Sequence, residues 1–319
     1  MRNILVSGAS GIVGYGVLRS LKKSGKELNL IGTTIYEDSV AQGFCDIFEL
    51  APLTSDDSYL EWLLRIIEKH KIDLLIPGIE ADLYKWVNHI PEITETGAVV
   101  LMNNIDLVTL CKDKWQFFQS LNSFESHHVI ESSLLTDFET IEKLYGLPFL
   151  LKPKRGFGSK GIVIVENKEI FLSHTADFPD LLAQPIIGNV EEEYTTSAFC
   201  DGNGSFYCYM TLKRKLSKEG FTDKAEVVEL EGVEEALTAL CEYYKPIGPT
   251  NFQFRKQEGV LKLLEINPRI SSSTSIRAAF GYNESLMAVE YFLENKKPTQ
   301  PVIRKGKAVR YVDDFIFYL

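Results

Sequence analysis

Two stretches of the sequence carry side chains suited to phosphate chemistry. In Lys152-Pro153-Lys154-Arg155-Gly156-Phe157-Gly158-Ser159-Lys160-Gly161, four cations and three glycines stand between two apolar runs. The backbone N–H groups of such a loop can wrap a polyphosphate while the lysines neutralise its charge. A plainer reading is a solvated hairpin that carries lysines, but this density of positive charge stands out in a chain whose formal net charge is -10. The order GxxxxGK[ST] is absent, so the loop is not of the Walker type. The second stretch is Asn251-Phe252-Gln253-Phe254, followed by Leu261-Lys262-Leu263-Leu264-Glu265-Ile266-Asn267-Pro268-Arg269. Strand alternation puts Glu265, Asn267 and Arg269 on one face, with Leu264 and Ile266 on the other, and Asn251 and Gln253 share a face. If the two strands pair, Gln253, Glu265 and Asn267 form an oxygen set suited to Mg²⁺, which keeps waters and phosphate oxygens in its remaining positions. Asn-Pro as a turn start and Glu265 as a cap is the rival reading. Arg269, a planar cation suited to a phosphate, weighs against it.

A third candidate is the turn Gly8-Ala9-Ser10-Gly11-Ile12-Val13-Gly14, which separates the apolar run Ile4-Leu5-Val6 from a helical pattern ending near Gly25. Such turns let backbone approach a phosphate at a helix N-terminus, and alone this one suggests an NAD(P)-dependent oxidoreductase. The acidic residue expected at the end of the second strand is missing, since Ile31-Gly32-Thr33-Thr34 stands there. Close packing of strand on helix is therefore the better explanation of these glycines.

Strands at Leu28 to Ile31 and Asp73 to Pro77, with helical spacing at Tyr59 to Ile67, alternate as a parallel α/β sheet does. From Phe149 onward short strands separated by glycine turns, such as Tyr194 to Cys200 and Ser205 to Leu212 around Asp201-Gly202-Asn203-Gly204, read as antiparallel α+β. Asn104 to Tyr145 is mostly helical and links the two regions. At 319 residues two or three packed domains are expected. The five cysteines form no CxxC pair, so reduced thiols are expected rather than a disulfide framework or a structural metal. The opening residues carry no signal-peptide core and no run could span a bilayer, which predicts a cytoplasmic protein. Net negative charge disfavours nucleic acid and anionic membrane as partners.

Taken in order, these pieces resemble the ATP-grasp superfamily, and within it the synthetase domains of the carbamoyl-phosphate synthase large subunit. The resemblance runs through the glycine-rich opening, the Asp73-to-Gly78 strand end, Cys111-Lys112-Asp113-Lys114, the Lys152-to-Gly161 loop, Gln184-Pro185-Ile186-Ile187, Glu193-Tyr194-Thr195, Lys213-Arg214-Lys215 and Glu265-Ile266-Asn267-Pro268-Arg269. It implies an α/β Rossmann-like pre-ATP-grasp domain (1–112) followed by an α+β two-lobed ATP-grasp domain, its first lobe at 113–183 and its C-terminal lobe at 184–319. ATP and Mg²⁺, or Mn²⁺, are the implied cofactors. By this resemblance Lys114 and Lys152 contact phosphates, and Gly156, Phe157, Gly158 and Ser159 belong to the loop above them. Gln184, Pro185, Ile186 and Ile187 border the adenine, and Glu193, or else Glu191 or Glu192, takes the ribose hydroxyls. Gln184 stands where an acidic residue is usual. The implied metal ligands are Gln253, Glu265 and Asn267, and the catalytic cations are Arg269 and Lys152, with Lys213 or Lys215 reaching over from the other lobe. For these last two, a charged edge strand is the rival reading. The substrate carboxylate is expected near Arg269, Ser271, Ser272 and Ser273. The implied activity is a ligase that activates a carboxylate as an acyl-phosphate and joins it to an amine, or to a thiol or similar nucleophile. Small-molecule partners are expected, and a homodimer is compatible with them. The activity is expected to be carbamoyl-phosphate-synthase-like, but with one ATP-grasp unit and no glutaminase-like segment the chain is not expected to make carbamoyl phosphate alone. The alternatives are an oxidoreductase and a non-catalytic nucleotide-binding protein.

Overall fold

The computed structural model describes residues 1–124, 126–156, 161–178 and 180–317, with residue 190 described by its backbone alone. The N-terminal strands are β1 (Arg2–Val6), β2 (Leu28–Thr34), β3 (Ile47–Leu50), β4 (Leu74–Ile76) and β5 (Val99–Val100). They form one parallel sheet in the order β3-β2-β1-β4-β5. Ile4, Leu5 and Val6 and the run Leu74, Leu75 and Ile76 are buried on both faces, which is why these strands read as unbroken apolar runs. Helices α1 (Ile12–Lys22), α2 (Tyr59–His70), α3 (Glu80–Val87) and α4 (Ile90–Glu95) accompany the sheet. Helix α2 buries Tyr59, Trp62, Leu63, Ile66 and Ile67, the spacing of one helical face.

The turn between β1 and α1 is held against the end of β4. A Cβ on Gly14 would lie 2.4 Å from the Gly8 carbonyl oxygen, and one on Gly78 would lie 2.0 Å from that of Ser7. Glycine at both positions is thus required by backbone contact.

Helices α5 (Ile105–Cys111), α6 (Lys114–Ser123) and α7 (Phe138–Tyr145) lead into the rest of the chain. A four-stranded sheet in the order β6-β9-β7-β8 follows, with β6 (Ser133–Leu134), β7 (Phe149–Pro153), β8 (Val163–Val165) and β9 (Leu181–Pro185), and α8 (Lys168–Asp177) crosses between β8 and β9. Phe138, Phe149, Leu151, Val165 and Phe171 form its core. The last region is a six-stranded antiparallel sheet in the order β14-β13-β10-β11-β12-β15. Its strands are β10 (Glu193–Asp201), β11 (Phe206–Leu216), β12 (Thr222–Val227), β13 (Ile247–Gln257), β14 (Val260–Asn267) and β15 (Lys307–Val309), with α9 (Val233–Tyr244), α10 (Thr274–Ala279) and α11 (Glu284–Glu294).

Alternation divides this sheet. Tyr194, Phe252, Phe254 and Leu263 pack with Leu237 and Leu240 of α9. On the other face, Met210, Leu212 and Ala225 share a core with Val17, Leu18 and Leu21 of α1 and with Ala288 and Val289 of α11. The parallel sheet and the six-stranded sheet are thereby joined by one apolar core. Arg277 and Glu284 sit inside it, both fully buried and 3.1 Å apart. Arg277 also donates to Ser271 Oγ at 2.7 Å and to Asn251 Oδ1 at 2.6 Å. Burial of these charges is tolerable only because they are paired and hydrogen-bonded.

One detail departs from simple alternation. The β13–β14 register shifts after Gln253, so that Phe254 faces Leu263. Leu263, not Leu264, fills the apolar core at this point, and Leu264 turns to the cavity described below.

Candidate active site

A cavity of about 650 Å³ opens where the four-stranded sheet, the six-stranded sheet and the N-terminal unit meet. One wall is cationic. Asp113 caps α6 by accepting the Trp115 and Gln116 N–H groups, which fixes Lys114 as the first helical residue. The Lys114 ammonium donates to the Gly156 carbonyl at 2.9 Å. Lys152, on β7, is 9% exposed and has no hydrogen-bond partner among the described residues. Burial, and then the neighbouring Lys114, pull its pKa down to about 8, with Glu265 acting in the opposite sense. Burial also lowers the value of Lys114, against the pull of Glu265 and Glu80. Two cations held close together in a poorly hydrated pocket constitute a site that gains by receiving an anion.

The facing wall is acidic and amidic. Gln253 lies directly across from Glu265 and Asn251 across from Asn267 in the β13–β14 ladder. Asn267 Nδ2 donates to Glu265 Oε1 at 2.8 Å. The pairing therefore brings the three expected metal-ligating side chains onto one face of the cavity. Their chemistry, one carboxylate beside two amides, fits a hard cation that keeps phosphate oxygens and water as further ligands. Among the described residues, no group of three His, Cys, Asp or Glu side chains suited to a metal comes together. Arg269 lines the same wall, with Nη2 donating to Glu80 Oε1 at 2.5 Å and to Asn267 Oδ1 at 3.3 Å. Glu80 opens α3 and enters the site from the N-terminal unit. Cys111 lines the cavity as well, but burial, Glu265 and Glu80 push its thiol far up, so it is no nucleophile at neutral pH.

The remaining expected site residues fall into distinct places. Gln184 lines the cavity, 8% exposed, its Nε2 donating to Ser132 Oγ at 2.5 Å. Pro185 ends β9, while Ile186 and Ile187 follow it outside the cavity lining. Gly156 lines the cavity, whereas Phe157, Gly158 and Ser159 lie outside the described residues. Ser271 and Ser272 face the cavity, while the Ser273 hydroxyl shares a 2.8 Å hydrogen bond with Thr222.

Three more of the expected site residues lie outside the cavity lining. Glu193 is 5% exposed, and both of its carboxylate oxygens are taken, one by Arg214 and the other by Arg255, each at 2.8 Å. Three donors leave one of its roughly four acceptor sites open, but Glu193 does not line the cavity. Lys213 sits opposite Tyr194, on the α9 face of the six-stranded sheet, away from the cavity. Lys215 is exposed and pairs with Glu191 at 3.2 Å. The cation that β11 sends into the cavity is the residue between them, Arg214. Sequence reasoning passed over Arg214 because three consecutive cations do not reveal which of them faces inward. Glu80 was also passed over; the only signal was its place just after the Pro77-Gly78 strand end.

The glycine turn borders the cavity at Gly11, and the Ser10 hydroxyl is tied to that of Thr34 at 2.7 Å. Residues 177–315 match the family described as ATP-grasp in the biosynthetic pathway with Ter operon. Over that C-terminal part the chain is similar to ATP-grasp domains. The sequence is 23% identical over 294 residues to the carbamoyl phosphate synthase large chain of Methanosarcina mazei, a match covering 84% of this chain and 27% of that protein. It is 22% identical over 279 residues to the arginine-specific large chain of Bacillus subtilis, covering 82% of this chain and 26% of the relative. The chain thus spans about a quarter of the length of these relatives. In three dimensions it is similar to the N5-carboxyaminoimidazole synthetase of Staphylococcus aureus solved with ADP, with a TM-score of 0.74 and 16% identity over 95% of this chain and 80% of that one. The L-amino acid ligase of Bacillus licheniformis gives a TM-score of 0.71 and 14% identity over 94% and 75% of the two chains. The superfamily resemblance legible in the sequence is borne out. Among the described residues, no helix is long and apolar enough to cross a membrane.

Proposed function

We propose that the chain is an ATP- and Mg²⁺-dependent ligase that activates a small-molecule carboxylate as an acyl-phosphate and joins it to an amine or similar nucleophile. The observation that carries this reading is the cavity itself, where Lys114 and Lys152 face Glu265 and Asn267 across the gap between two sheets. In this reading the parallel unit is the Rossmann-like pre-ATP-grasp domain, supported by its strand order, and the three domains divide near residues 112 and 183. Lys114 and Lys152 hold the nucleotide phosphates, with Gly156, Phe157, Gly158 and Ser159 over them. Gln184, with the segment to Ile187, borders the base. Glu193, or else Glu191 or Glu192, would take the ribose hydroxyls. Glu265 and Asn267 would hold Mg²⁺, whose chemistry is to neutralise charge on the phosphates.

The substrate carboxylate attacks the γ-phosphorus, ADP leaves, and the nucleophile then displaces phosphate from the acyl carbon. No protein nucleophile is required. Lys152 and Arg269 offset the charge that spreads over the transferring phosphoryl group, and burial of Lys152 makes that interaction stronger than it would be in water. Arg269, with the hydroxyls of Ser271 and Ser272, would orient the carboxylate. The reaction is tested by adding pools of carboxylates and amines to the protein with Mg-ATP and measuring ADP. Release of ADP that requires both pools supports the ligase. Binding of NADPH in place of Mg-ATP would overturn it in favour of an oxidoreductase, and Mg-ATP binding without turnover on any pool would favour a non-catalytic protein.

A further inference from the structure

We propose that Arg214, held in place by Glu193, supplies the fixed positive charge at the Gln253 end of the cavity wall, and that the divalent ion is held by Glu265 and Asn267 without Gln253. This rests on the ligase reading above. Glu193 is the cross-strand neighbour of Arg214 on one side and of Arg255 on the other. Arg214 donates to Glu193 Oε1 through Nε at 3.0 Å and Nη2 at 2.8 Å, and Arg255 Nη2 donates to Oε2 at 2.8 Å. Two guanidiniums against one carboxylate leave the cluster with one uncompensated positive charge, and Arg214 is only 6% exposed.

That charge is aimed at the expected metal face. Arg214 Nη2 also donates to Gln253 Oε1, the only atom of that side chain able to ligate a metal, since Nε2 is a donor. A divalent ion at Gln253 would have to break this bond and sit beside a buried cation, whereas Asn267 Oδ1 meets Arg269 only at the longer 3.3 Å and that cation is paired with Glu80. Glu265, directly opposite Gln253, carries the negative charge a metal needs. For a phosphate oxygen the preference is reversed. Arg214 lines the cavity, and its Nη1 has no partner among the described residues, leaving a planar donor available to bound phosphate. Arg214 is thus a catalytic residue in touch with the phosphates, and Glu193 is the positioning residue behind it.

The test uses the full chain with Mn²⁺ and a non-hydrolysable ATP analogue, followed by electron paramagnetic resonance for the metal and by calorimetry for the nucleotide. Gln253→Ala should bind Mn²⁺ within about twofold of the parent, whereas Glu265→Gln should weaken it by about tenfold or more. Arg214→Lys should weaken the analogue by about tenfold or more and leave Mn²⁺ affinity nearly unchanged. Glu193→Gln should act in the same direction as Arg214→Lys, again sparing the metal, a split that general loss of structure would not produce. If Gln253→Ala loses Mn²⁺ as strongly as Glu265→Gln does, or if Arg214→Lys binds the analogue as the parent does, the inference is overturned and the ligase reading stands. A parent chain that binds neither Mn²⁺ nor the analogue overturns both.

Discussion

Lys152 gives a prediction whose size follows from its surroundings. Its folded pKa of about 8 lies well below the ordinary 10.5 because burial and Lys114 disfavour the ammonium. In the empty protein the unfolded chain therefore holds a proton that the folded chain has lost between about pH 8 and 10.5, so this group makes stability rise with pH in that window. Phosphate binding runs the other way, because a bound polyphosphate restores the charge and takes up the proton. At pH 7 the free lysine is roughly 90% protonated and at pH 9 roughly 10%, so affinity for an Mg-ATP analogue should fall about tenfold across that interval. Replacement by methionine should weaken binding at pH 7 by about tenfold or more, since a charge-assisted hydrogen bond contributes roughly 1.5–3 kcal/mol, and should flatten the pH dependence. Calorimetry at pH 7, 8 and 9 on both proteins reads the two effects together. A parent whose affinity does not change from pH 7 to 9, or a Lys152→Met protein that keeps the parent's slope, would refute the reasoning.

Other outcomes follow from single contacts. Glu265→Ala should abolish Mg²⁺-dependent turnover while circular dichroism stays as in the parent; full activity in that variant would remove the metal assignment. Gly78→Ala forces a Cβ to within 2.0 Å of the Ser7 carbonyl oxygen. Such overpacking costs about 1–3 kcal/mol, visible as a thermal midpoint several degrees lower, and an unchanged midpoint would show that the backbone relaxes freely. Arg277→Met leaves Glu284 buried without its partner, so urea denaturation should register a loss of roughly 3–5 kcal/mol, partly recovered by adding Glu284→Gln.

What the sequence disclosed was mostly what local pattern controls. Unbroken apolar runs at Ile4 to Val6 and Leu74 to Ile76 announced the buried parallel strands, and period-two alternation announced that Gln253, Glu265 and Asn267 would share a face. The bulge that exchanges Leu263 for Leu264 left no such mark, because both are leucine. The inward cation of β11 was ambiguous for a related reason: Lys213, Arg214 and Lys215 all carry positive charge, and only pairing with Glu193 on β10 selects Arg214. Glu193 looked like a free carboxylate because its two partners lie 21 and 62 residues away along the chain. The pairing of Glu80 with Arg269 spans 189 residues, a distance over which no periodicity can report. The glycine turn shows the converse case. Its spacing suggested a ligand, while contacts with backbone account for Gly14 and Gly78 by packing alone.

The central claim is that a nucleotide triphosphate sits between the four-stranded and six-stranded sheets and not on the N-terminal glycine turn. Hydrogen exchange with and without an Mg-ATP analogue tests it most directly. The account predicts new protection at Lys114 to Phe117, at Lys152 to Arg155 and at Glu265 to Arg269, with little change from Gly8 to Gly14. Protection confined to Gly8 to Gly14 would contradict it and move the nucleotide to the N-terminal unit.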